Sequence, residues 1–68
     1  MNIAVIGLGS MGKRRIRLIK KHNSNYNIIG ADSSEERRIS VEDEFGIKTA
    51  TSIEEIIEIY NPMCAFVC

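Results

Sequence analysis

The sequence predicts an α/β fold, a βαβαβαβ chain whose strands lie parallel in one sheet. Three observations predict it. Short apolar runs alternate with helical stretches along all 68 residues. Serine and glutamate stand at capping distance before two of those stretches. The segment between successive apolar runs is too long for a hairpin and suits a right-handed crossover helix, which makes neighbouring strands parallel. Such a unit is about half of a doubly wound sheet.

The elements follow in order. Asn2–Ile6 is an apolar run ended by glycine, as a strand buried on both faces requires. A helix is expected from Ser10 to about His22, with Gly12, Ile16 and Ile19 on one stripe that can lie on a sheet. Asn23-Ser24-Asn25 is a turn cluster, and Tyr26–Ala31 a second strand. Ser33 and Glu36 have capping-box spacing at the start of the next helix, and Gly46 after Phe45 is a natural stop. Ile47–Ala50 is a short third strand. Ser52 and Glu55 form a second capping box, each side chain expected to satisfy the other's backbone N–H. Ile53, Ile56, Ile57 and Tyr60 then mark the buried face of a third helix. Pro62 disfavours helical geometry at Asn61 and ends it. Met63–Cys68 is a last apolar strand.

Composition narrows the function classes. Nine basic residues balance nine acidic ones, which excludes a polybasic nucleic-acid module, and 44% hydrophobic residues exclude a disordered chain. The longest apolar stretch falls far short of the roughly 20 residues of a membrane helix. No basic region and cleavage site suggest a signal peptide. A soluble cytoplasmic protein is therefore expected, with neither nucleic acid nor membrane as partner. Cys64 and Cys68 are too far apart along one strand for a disulfide, and two small buried hydrophobes are expected there. The charge is unevenly placed: residues 1–31 hold six basic residues and no acid, while all nine acids follow. Either a solvated basic helix is offset by acidic ones, or a positive field stands beside an anionic ligand.

The chemistry concentrates at Gly7-Leu8-Gly9-Ser10-Met11-Gly12, a GxGxxG turn after a strand and before a helix. Asp32 follows 20 residues beyond Gly12, at the end of the next strand. Together these form a dinucleotide-binding fingerprint. Gly7 permits the turn, Gly9 lets a pyrophosphate approach the backbone, and Gly12 lets helix and strand pack closely. The helix N-terminus then offers free N–H groups to the phosphates. Asp32 can accept from both hydroxyls of the adenosine ribose, which favours NAD over NADP. Arg37, Arg38 and Ser33 oppose that preference, since each could meet a 2′-phosphate. Lys13 and Arg14 either attract the pyrophosphate or face water. His22 reads as a helix-end residue. No catalytic constellation and no metal site can be assembled.

Ile6–Arg15, Ile29–Asp32, Glu36-Arg37, Glu44–Gly46 and the capped Ser52–Ile57 helix resemble the glucose–fructose oxidoreductase / inositol dehydrogenase (Gfo/Idh/MocA) family over the whole chain. Arg15 and Cys64 depart from residues common in that family, a His and an Asp. The resemblance implies a partial Rossmann fold, the first half of an NAD(P)-binding domain truncated from a two-domain parent. That parent would transfer a hydride between the nicotinamide and a sugar or polyol hydroxyl carbon. The implied partners are the dinucleotide and that substrate, with a homo-oligomer left open. The resemblance transfers no catalytic residue, because the family's lysine and substrate domain lie beyond this segment. Two other readings share the glycine turn: a 6-phosphogluconate / 3-hydroxyisobutyrate-type dehydrogenase, and a non-catalytic nucleotide-sensing module. The charged run Lys13–Arg17 speaks against the first.

Overall fold

Local sequence signals set where each element begins and stops, and the computed structural model describes them for every residue, Met1–Cys68. The order is β1 (Asn2–Ile6), α1 (Ser10–His22), β2 (Asn27–Ala31), α2 (Glu35–Phe45), β3 (Lys48–Ala50), α3 (Ile53–Tyr60) and β4 (Cys64–Val67). Strand ends fall a residue inside the expected runs, leaving Tyr26, Ile47, Met63 and Cys68 outside the sheet. All pairings are parallel, in the order β3-β2-β1-β4.

Alternation along β1 divides the core between two faces. Val5 packs with Ile28 of β2, Leu8, Ile16 of α1 and Val41 of α2. Ala4 packs with Ile29 and Ala31 of β2, Ala50 of β3 and Ile56 of α3. Helices α1 and α2 therefore cover one face and α3 the other. Within α3 the expected stripe holds for Ile53, Ile56 and Tyr60, but Ile57 is 55% exposed. Ile57 is turned about 100° from Ile56 around the helix, outside the strip that meets Ala4, Ile29, Ala31 and Ala50.

Capping differs from the sequence expectation in two details. Ser34, not Ser33, is the N-cap of α2 and accepts from the Arg37 N–H at 3.3 Å. Asp32 takes the Ser34 N–H at 2.9 Å, which turns the chain one residue further before the helix starts. At α3 the Ser52 hydroxyl accepts from the Glu55 N–H as expected. The Glu55 carboxylate, however, reaches back to the hydroxyl and N–H of Thr51 rather than to the Ser52 N–H. Helix α2 stops at Gly46 in the left-handed region, and α3 at Asn61, also left-handed at φ 46° before Pro62.

Cys64 and Cys68 are exposed free thiols, contrary to the expected burial. Strand β4 is an edge of the sheet and three of its four residues are exposed, so its apolar side chains have no covering layer. No helix is long and apolar enough to cross a membrane.

Candidate dinucleotide site

The sheet grows in opposite directions from β1, to β2 and β3 on one side and to β4 on the other. A switch of this kind opens a crevice beyond the carboxyl ends of the strands. Residues 7–12 turn through it. The Gly7 N–H donates to the Ala31 carbonyl at 2.8 Å, which ties the turn to β2. Gly7 has φ +90°, a conformation that side chains other than glycine's rarely adopt.

Two of the three fingerprint glycines are demanded by backbone neighbours, the third by none. A Cβ on Gly12 would lie 1.9 Å from the Gly7 carbonyl oxygen, so α1 can sit on β1 only without it. A Cβ on Gly7 would lie 2.6 Å from the Cys68 carbonyl oxygen. A Cβ on Gly9 would meet only the Arg37 guanidinium, at an ordinary 3.7 Å. The protein itself has no packing reason for a glycine at position 9. A glycine there leaves the backbone open to close approach from the crevice side.

The start of α1 is open. Gly9 is its N-cap, with no side chain capping it and no acid in the first turn. The first helical bond runs from the Lys13 N–H to the Gly9 carbonyl at 3.0 Å, leaving the amides of Ser10, Met11 and Gly12 without an acceptor in the chain. These amides border a crevice of about 260 Å³ formed by the glycine turn, Arg37 and Cys68. A second hollow of about 390 Å³ runs from Gly9 toward Lys13, Arg37 and Ser40.

Asp32 stands at the end of β2 beside this turn, with its side chain 9% exposed. One carboxylate oxygen accepts from the Leu8 N–H and the other from the Ser34 N–H, each at 2.9 Å. The Leu8 bond first, then the Ser34 bond and the Arg37 guanidinium 3.6 Å away, hold the carboxyl below its usual range against the opposing effect of burial. A carboxylate has about four acceptor positions, so a ribose can still bond to it.

The basic residues separate into different roles. Arg37 lines both hollows and is 60% exposed, free to turn toward a ligand. Arg38 instead donates to the Asp32 carbonyl at 2.7 Å and is occupied. Lys13 points at α2, bonding the Ser40 hydroxyl at 2.7 Å and Glu44 at 3.0 Å, not at the crevice of the turn. Arg14 is exposed and borders a hollow between α1 and the end of β4. Ser33 is exposed, and His22 closes α1 at the opposite end. No cluster of three or more acidic, His or Cys side chains that could hold a metal ion is present.

Sequence reasoning missed that Leu8 is a core residue, 1% exposed beneath the turn, and that Gly30 faces it. A glycine inside an otherwise apolar central strand was the available signal.

Amides without acceptors at a helix start, beside an acid at a strand end, form the Rossmann arrangement for a dinucleotide. Known proteins agree. Residues 1–68 match the Gfo/Idh/MocA model, described as "Oxidoreductase family, NAD-binding Rossmann fold", and the chain belongs to that family. This match speaks against the 6-phosphogluconate-type reading. Among solved structures, dTDP-glucose 4,6-dehydratase from Bacillus anthracis, determined in complex with NAD, shares the fold at TM-score 0.73 and 19% identity. The likeness covers 98% of this chain and 26% of that one, so the chain spans about a quarter of its neighbour's length. No curated protein matches.

Proposed function

We propose that these residues form the adenosine and pyrophosphate site of a nicotinamide-dependent oxidoreductase, with Gly7–Gly12, Asp32, Ser33 and Arg37 as its contacts. The observation that carries the reading is the open N-terminus of α1 against a Gly9 that no protein atom requires. The nicotinamide, when bound, supplies the hydride chemistry. The amides of Ser10, Met11 and Gly12 bind the phosphates, and Asp32 orients the ribose. The exposed β4 edge and membership of the family support placing the segment in a longer two-domain parent. Family membership supports a sugar or polyol as the substrate oxidised there.

NAD is the preferred cofactor in this reading. Asp32 is fixed by two backbone bonds, and a 2′-phosphate would bring one to two further negative charges beside it. Arg37 moderates the penalty from an exposed, flexible position. The test compares kcat/KM for NAD and NADP in the full-length parent that this reading implies and in its Asp32→Asn variant. Asparagine keeps one acceptor for the turn while removing the charge, which Asp32→Ala would not. NAD preference in the wild type, narrowed in the variant, supports the reading. NADP preference in the wild type, or an unmoved ratio, overturns it.

A further inference from the structure

Gly30 is the fourth of the five residues of β2, paired with Val5 of β1, on the face covered by α1 and α2. Glycine in a central strand weakens it by roughly 0.5–1 kcal/mol relative to alanine, so its presence calls for a steric cause. Here the cause is Leu8. A Cβ built on Gly30 would lie 2.8 Å from Leu8 Cδ2 and 3.0 Å from Cδ1. The side chain of Leu8 drops from the glycine turn into the space that glycine leaves vacant.

Little space is left around that side chain for its methyls to move aside. Leu8 is 1% exposed and packs with Val5, Ile16, Ile28 and Val41, none more than 3% exposed. A core packed this closely passes an added methyl on to the backbone. The backbone in question belongs to the site. Leu8 lies between Gly7 and Gly9, and its N–H is the donor that joins the turn to Asp32 at 2.9 Å. Lifting the side chain therefore lifts the peptide that aims the neighbouring amides and loosens the carboxylate meant for the ribose.

We infer that Gly30 is a positioning residue for the dinucleotide, acting through Leu8: the missing side chain in β2 sets the height of the glycine turn above the sheet. The inference rests on the dinucleotide reading above, and it has a ligand-free readout of its own.

The test uses the full chain carrying Gly30→Ala, Leu8→Val, both changes together, and Ile56→Val as a control that loosens the opposite face. NAD(H) affinity is measured by titration well below the melting temperature, and hydrogen exchange of the Leu8 amide is measured without ligand. Gly30→Ala is expected to weaken binding on the order of tenfold, the loss of about one charge-assisted bond, and to speed Leu8 exchange. The double variant is expected to recover both, because valine vacates the space the new methyl takes. Ile56→Val is expected to lower stability while leaving affinity and Leu8 exchange unchanged. Should Gly30→Ala fail to fold, the double variant carries the test, read by its affinity and its Leu8 protection. Unchanged affinity and protection in a folded Gly30→Ala overturn the inference, as does a double variant that recovers neither or does not fold. A wild type that binds no dinucleotide refutes the proposed function instead, and the Leu8 exchange still decides whether Gly30 sets the turn.

Discussion

Gly9 and Gly12 belong to one motif, yet replacing them should break different things. Gly9 has φ −77° and ψ −159°, extended backbone open to any residue. The methyl of Gly9→Ala meets only the Arg37 guanidinium, at 3.7 Å. Alanine is a poorer N-cap than glycine by up to about 1 kcal/mol, and reduced freedom of the unfolded chain returns roughly 0.4–1 kcal/mol. Stability should stay within about 1 kcal/mol of wild type. A phosphate pushed away by that methyl loses at least one charge-assisted bond to the amides, about 1.5–3 kcal/mol, or roughly 10- to 150-fold in affinity. Gly12→Ala places its methyl 1.9 Å from the Gly7 carbonyl oxygen, so α1 must lift off β1. The expected result is a chain that melts early or does not fold. Calorimetric titration of NAD(H) and urea unfolding of each variant read both effects. Wild-type affinity in Gly9→Ala, or wild-type stability in Gly12→Ala, would refute the reasoning.

The Asp32 carboxyl is held below its usual range by the Leu8 and Ser34 amides, so its ionised form stabilises the fold fully above the unfolded value near about 3.9. That contribution is lost as pH falls through the lower folded value, and Asp32→Asn should flatten the acid limb of a urea-midpoint profile. The limb should not vanish, because Glu44 is also held low, chiefly by its bond with Lys13. Ser34→Ala should cost about 1 kcal/mol, the usual worth of a cap, whereas Ser33→Ala should leave thermal stability nearly unchanged. Ile56→Ala should cost about 2–5 kcal/mol and Ile57→Ala no more than about 0.5 kcal/mol, a contrast that urea midpoints would show directly.

Backbone-determined features were legible in the sequence. A turn, a strand end and a helix start each demand a residue type locally, so Gly7, Gly12, Asp32, Ser52 and Gly46 could be placed by spacing alone. Features that depend on what lies opposite were not. Ile57 keeps helical spacing with Ile53 and Ile56, yet nothing in the sequence says how wide a face α3 buries. The strand character of β4 was readable, but the exposure of Cys64 depends on its place at the sheet's edge. Ser33 and Ser34 satisfy the same local rule. The choice between them falls to Asp32, whose carboxylate already takes the Ser34 N–H. Gly30 was visible as a letter, while its reason, Leu8, lies 22 residues earlier in the chain.

The uneven charge shows how the two readings of α1 combine. Helices α2 and α3 each begin with a serine cap and two glutamates, which suit the positive end of a helix dipole. Helix α1 begins with neither, and its first charged residues are Lys13 and Arg14. Cations in a first turn oppose the dipole, so the arrangement is unfavourable for a helix considered alone. Part of the cost is relieved within the fold: Lys13 and Arg17 reach Glu44 of α2 at 3.0 and 3.1 Å, and the Arg15 guanidinium lies 4.8 Å over the Phe66 ring. The amides themselves are not relieved by any oxygen of the chain. In the proposed function a pyrophosphate would satisfy those amides and the dipole together, while Lys13 and Arg17 are already held by Glu44.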